Sequence, residues 1–249
     1  MSSAPAVAES RMSWLAAVLV HLLTASGVVL ALLMVHYAYA GEVQTVLWLF
    51  LFAMIIDGVD GLLARKARVK EVTPGFDGAL LDNIVDYITY AFAPMVLLWS
   101  NGYLPGGALG PAVASLPLLA SCYQFCRTDA KTDAHFFLGF PSYWNILAFY
   151  VVILDLSTAV TVTLLLILTV LVFIPVKYVY PSRTAMWWTA NMALAAAWLV
   201  LWGLITWQLP DPSTVLIALS FGYVVYYVAL SLWLTVNTGR RNRREAQAG

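Results

Sequence analysis

Four aspartates stand inside stretches otherwise apolar enough to cross a membrane. Asp57 and Asp60 lie in Asp57-Gly58-Val59-Asp60-Gly61-Leu62-Leu63-Ala64-Arg65, and Asp82 and Asp86 in Gly78-Ala79-Leu80-Leu81-Asp82-Asn83-Ile84-Val85-Asp86. Carboxylates in such surroundings are costly and mark function. On helices, positions 57, 60, 61 and 64 share one face, and positions 78, 82 and 86 share another. Carboxylates gathered this closely repel unless a cation neutralises them, and an all-oxygen donor set suits Mg²⁺, Mn²⁺ or Ca²⁺. Two such ions about 3.5–4 Å apart serve reactions at phosphorus. Gly61, Ala64 and Gly78 clear bulk from the same faces, and Arg65 ends the first stretch as a natural phosphate partner. Small residues also let helices pack, which accounts for the glycines but not for acids in register with them. On these residues alone, two readings stay open: a metal-dependent enzyme acting at phosphorus, and a cation-coupled membrane transporter.

The elements that must hold these residues follow from composition. The chain has 249 residues, 62% hydrophobic and 10% charged, with a mean hydropathy of +0.82. A soluble domain is nearer 25% charged, so a polytopic, all-α membrane protein is expected. Eight apolar segments are read near 14–38, 44–65, 77–99, 109–127, 138–155, 157–176, 185–207 and 213–236. The fifth and sixth are separated only by Asp155–Ser157 and should turn tightly. All 13 Lys and Arg then fall on one side: Arg11, the 65–70 cluster, Arg127 and Lys131, Lys177 and Arg183, and Arg240 to Arg244. Basic loops stay cytoplasmic, so both termini are expected inside. Asp57 then lies about 12 Å above Arg65 at 1.5 Å per residue, and Asp86 climbs to a comparable depth on the next, antiparallel span. The basic residues are where topology puts them, and no nucleic-acid partner is expected. The run from Trp14 to Val35 exceeds the h-region of a signal peptide, which argues against cleavage after Ala38-Tyr39-Ala40. Cys122 and Cys126, four apart, are expected to be buried thiols on one helix face.

Together these residues resemble the signature of the CDP-alcohol phosphotransferases, D-x2-D-G-x2-A-R-…-G-x3-D-x3-D, at every fixed position: Asp57, Asp60, Gly61, Ala64, Arg65, Gly78, Asp82 and Asp86. Twelve residues separate Arg65 from Gly78, a longer gap than most members have, and in this the chain is similar to the bacterial phosphatidylcholine synthases. The stretches His135-Phe136-Phe137-Leu138-Gly139-Phe140-Pro141-Ser142-Tyr143-Trp144-Asn145 and Tyr180-Pro181-Ser182-Arg183-Thr184 fit the same branch.

The resemblance implies a single membrane-embedded domain over 1–249: a catalytic core of six helices at about 14–176, two further helices at about 185–236, and a basic cytoplasmic tail at 237–249. It implies transfer of a phosphatidyl group from CDP-diacylglycerol to choline with release of CMP, in the bacterial inner membrane, at a site open to the cytoplasm. It further implies Mn²⁺ or Mg²⁺ as cofactor, with two ions, and a homodimer. By carry-over Asp57, Asp60, Asp82 and Asp86 hold metal, and Asp86 is also the general base. Gly61, Ala64, Arg65 and Gly78, with Thr24 and Ser26 of the first span, face CDP-diacylglycerol. Another alcohol such as serine is the alternative acceptor. A quaternary ammonium has no N–H to donate, so aromatic faces are its expected partners. Tyr90, which shares the Asp86 face, is expected there with Tyr143 or Trp144, and with Asn145 and His135 as polar lining.

Overall fold

A computed structural model describes residues 4–129, 136–180, 184 and 187–248, with side chains from 13 to 237; His135 and Arg183 lie outside the described residues. Six helical stretches are long and apolar enough to cross a membrane, and they match the first four and last two expected spans within a few residues. They are α1 (Ala4–Tyr39), α2 (Val43–Lys66), a composite third, α6 (Leu109–Cys126), α9 (Trp188–Trp207) and α10 (Thr214–Ala248). A single turn, α3 (Val69–Val72), lies in the long gap between the two halves of the aspartate pattern.

The composite span joins α4 (Gly78–Asp86), a π-helical segment (Tyr87–Phe92) and α5 (Ala93–Ser100). The wide turn has a local cause. Pro94 has no N–H for the carbonyl of Tyr90, and its ring would press on that carbonyl in a regular helix. Such π segments concentrate at functional sites, and this one follows Asp86 directly.

The fifth and sixth segments depart from expectation. The helices there are α7 (Trp144–Ile153) and α8 (Thr158–Phe173), shorter than the other six. At 1.5 Å per residue α7 is about 15 Å long, half the roughly 30 Å of a hydrocarbon core. The flanking residues instead pair as an antiparallel two-stranded sheet, β1 (Phe136–Leu138) with β2 (Lys177–Val179), so the protein is nearly rather than wholly α-helical. Helix cannot extend upstream of α7. Pro141 lacks a donor, and Gly139 sits at φ +78° with no space for a Cβ, which would lie 2.1 Å from the Val172 carbonyl oxygen. The backbone groups thus freed are satisfied by the ladder. After α7 the chain turns at Asp155, φ 45°. α7 packs on α5, and α8 packs on α6.

Met34 of α1, Leu47 and Phe50 of α2, Met95 of α5, Phe149 of α7 and Trp202 of α9 are fully buried and form the core. Phe149 and Trp202 stack with ring centroids 3.8 Å apart, and the Trp202 indole donates to the Leu47 carbonyl at 3.0 Å. Gln44 donates to the Thr206 carbonyl at 2.8 Å, so α9 is pinned along the first half of α2. Cys122 and Cys126 are exposed, not buried. They do share a face of α6, four residues apart, but it is one that the neighbouring helices leave open.

Candidate active site

Each aspartate is placed by identifiable local structure. α1 packs against both α2 and α4, so the faces bearing the acids converge across it. α4 starts where it does because the Asp77 carboxylate accepts from the N–H groups of Ala79 and Leu80, both at 3.0 Å. From that cap, Asp82 and Asp86 fall one turn apart on the side facing α2.

Carboxylate oxygens of Asp57, Asp82 and Asp86 come within 4.8 Å of one another, a group that can hold a metal ion. Asp60 is set apart from this trio. It is only 5% exposed and accepts from the Thr24 hydroxyl at 2.6 Å. All four acids and Thr24 line a narrow cleft of about 10 Å³ between α1, α2 and α4, room for one small ion or water. A second cavity, of about 360 Å³, opens on the other side of the trio, toward α9. Among the described residues, no Lys, Arg or His lines either cavity. Three converging carboxylates form the donor set a hard divalent ion prefers.

The chain is similar to several named proteins. It is 42% identical over 229 residues to the phosphatidylcholine synthase of Legionella pneumophila, covering 89% of each chain. Against the Pseudomonas aeruginosa phosphatidylcholine synthase it is 38% identical over 215 residues, 86% of this chain and 90% of the relative. Against that of Rhizobium meliloti the figures are 31% over 223 residues, 89% and 92%. The chain belongs to the phosphatidylcholine synthase family. No family-level sequence model matches it.

Other residues of the aspartate pattern, and those expected beside it, are placed as follows. Arg65 is exposed at the end of α2, its guanidinium 3.6 Å from where a Cβ on Gly61 would stand. Ala64 packs with Ala17, Val20 and Val69, fastening α3 to the first two helices. A Cβ on Gly78 would lie 2.8 Å from Cε1 of His21, whose Nε2 is 3.1 Å from the Thr73 hydroxyl. Gly78 therefore admits the imidazole that pins the 66–77 loop to α1. Ser26 donates to the Leu23 carbonyl of its own helix and does not line either cavity.

The aromatic expectations divide. Tyr90 is 6% exposed and donates to Asp57 Oδ2 at 2.7 Å; its ring lies 6.0 Å from that of Tyr143, and both line the large cavity. Trp144 does not line it. The side chain is fully buried and its indole donates to the Ser121 hydroxyl at 2.7 Å, which in turn donates to Ser142 at 3.0 Å. One helical step turns Trp144 about 100° from Tyr143, into the core. Asn145 is buried with its side-chain oxygen on the N–H of Ile146, also away from the cavity. Sequence reasoning missed Phe125, Phe137 and Tyr180, which line the cavity too. Phe137 and Tyr180 stand in the two stretches that resemble the family, but nothing in three-residue strands announces their pairing.

Proposed function

We propose that the chain transfers the phosphatidyl group of CDP-diacylglycerol to choline, forming phosphatidylcholine and CMP, in the bacterial inner membrane. The observation that carries this reading is the convergence of Asp57, Asp82 and Asp86 at the foot of an aromatic-lined cavity, in a chain this close to named phosphatidylcholine synthases. The carboxylate trio, completed by Asp60, would hold one or two Mn²⁺ or Mg²⁺ ions. Bound there, such an ion neutralises the acids and lowers the charge on the diphosphate. Asp86 accepts the choline hydroxyl proton. The alkoxide oxygen attacks the phosphorus that bears diacylglycerol, and the bond from that phosphorus to the CMP oxygen breaks. Arg65, Gly61, Ala64 and Gly78 form the CDP side with Thr24, which orients Asp60; Ser26 supports α1 behind it. Tyr90 and Tyr143 face the trimethylammonium group.

The same proposal includes eight membrane segments, with α7 and α8 completing the six long ones as part of the catalytic core, and both termini and the cavity mouth cytoplasmic. The basic residues Arg65, Lys66, Arg68, Lys70, Arg127 and Lys177 all gather at the end nearest the trio, which supports that orientation. It treats 1–249 as one domain, with α9 and α10 added to the core and a basic tail from 237. The homodimer rests on the family resemblance.

Purified protein supplied with CDP-diacylglycerol and either choline or serine tests the reading. Phosphatidylcholine with equimolar CMP is the expected product, and exhaustive chelation abolishes it. Faster turnover of serine, or cation flux in proteoliposomes without CMP release, overturns it.

A further inference from the structure

The wall of the large cavity opposite Tyr90 is made by residues far from the aspartates in sequence. Phe137 and Tyr180 stack with centroids 4.6 Å apart and an interplanar angle of 28°. Phe137 also meets the Tyr143 ring edge-on at 6.4 Å. Phe137 lies in β1, and Tyr180 is the residue after β2, so the ladder that pairs these strands brings the two rings together. β1 covers one edge of β2. The other edge is covered by α10, not by a strand. The N–H of Lys177 donates to the Thr235 hydroxyl at 2.8 Å, and that of Val179 to the Ser231 hydroxyl at 3.1 Å. The Tyr227 hydroxyl donates to the Val179 carbonyl at 3.0 Å. Residues 227, 231 and 235 are spaced by four on one helix face. They replace the missing strand. Beyond β2, the Tyr180 N–H donates to the Thr184 hydroxyl at 3.0 Å, and the Thr184 N–H donates to the Tyr180 carbonyl at 2.8 Å. Tyr180 is thus fixed on both sides.

We propose that Phe137 and Tyr180 complete, with Tyr90 and Tyr143, an acceptor pocket that selects a quaternary ammonium, and that Ser231 and Thr235 of α10 are its positioning residues. This rests on the reading of the site as phosphatidylcholine-forming. The cavity joins the rings of Tyr90, Phe137, Tyr143 and Tyr180 to three carboxylates, a surrounding that favours a permanent positive charge with no N–H to satisfy. Thr24 and Asp60 lie on the other side of the trio, in the α1–α2–α4 cleft, which leaves the aromatic side for the alcohol.

The test measures choline KM, CDP-diacylglycerol KM and the preference for choline over dimethylethanolamine, whose cation carries one N–H. Phe137→Leu and Tyr180→Leu should each raise choline KM about tenfold, while CDP-diacylglycerol KM stays within about twofold. The preference for choline should shrink in both, and Tyr180→Phe, which keeps the ring, should retain it. Ser231→Ala combined with Thr235→Ala should shift choline KM in the same direction, with recovery in Ser231→Thr combined with Thr235→Ser. Tetramethylammonium, the same cation without the hydroxyl, should compete with choline in the unaltered protein, a measurement independent of whether any variant folds. If choline is turned over yet tetramethylammonium does not compete, or the Leu variants keep choline KM and preference, the pocket is overturned and the phosphatidylcholine reading stands. An unchanged choline KM in the α10 double variant overturns the positioning role. If the unaltered protein makes no phosphatidylcholine from choline, the reading beneath the proposal fails first.

Discussion

Asp86 and Asp60 are both aspartates of one pattern, yet their surroundings assign them different work. Asp86 lines both cavities and belongs to the converging trio, so it borders the space that the proposed reaction gives to the alcohol and the diphosphate. Asp86→Asn keeps the volume and removes the proposed base. Turnover should fall by about 10²–10⁴-fold while CDP-diacylglycerol still binds, measured by single-turnover kinetics beside equilibrium binding. Asp60 instead receives the short Thr24 hydroxyl bond in a nearly closed cleft. Thr24→Val withdraws that donor from a buried carboxylate and should cost about 1–3 kcal/mol of stability, read as a lower Tm in detergent. Arg65 and Lys66 are adjacent and both exposed, but only Arg65 lies over Gly61. Arg65→Ala should weaken CDP-diacylglycerol binding far more than Lys66→Ala, checked by the KM of each variant. Just past the end of α6, the Arg127 guanidinium at 2.6 Å holds the Asp129 carboxyl below the usual carboxylate range.

The contact between His21 of α1 and the start of α4 bears on why position 78 is glycine. A side chain there would strike the imidazole before it reached any ligand. The expected result is that Gly78→Ala lowers activity about tenfold or more, since sub-ångström displacement of reacting groups is costly. His21→Ala in the same protein should restore part of the loss. A pure ligand-contact role for Gly78 gives no such rescue, so the double variant, assayed by CMP release, separates the two. The π-helical segment presents a related case, because Pro94 widens the turn that carries Tyr90 to within 2.7 Å of Asp57.

Assembled, the helices place every described basic side chain from Arg65 to Lys177 at one end of the bundle, with the trio a short climb above it. Reporter fusions should therefore report both termini on the cytoplasmic side; a periplasmic reading at either end would refute the eight-segment topology. A divalent ion held by the trio would join α2 to α4, so it should also stabilise the fold. At 100 times its Kd, one bound ion adds about 2.7 kcal/mol, so Tm in detergent should rise on adding Mn²⁺ and fall on chelation.

Much of this was legible in the chain. Long apolar runs have no stable alternative to helix in lipid, because every backbone group must be satisfied within the segment. The six long helices and the common faces of residues 57, 60 and 64 and of 78, 82 and 86 therefore follow from spacing alone. Asp57, Asp82, Asp86, Tyr90 and Tyr143 were each named from type and position, and they come together. What spacing could not decide were contacts between distant segments. The ladder of Phe136–Leu138 with Lys177–Val179 joins stretches some forty residues apart that read as helix ends, because three residues carry too little periodicity to reveal a strand. The inward turn of Trp144, the outward turn of Cys122 and Cys126, and the hydroxyl face of α10 depend on which neighbour each helix meets. In an apolar chain both sides of a helix look alike, so hydrophobicity cannot tell core from lipid; only packing in three dimensions does.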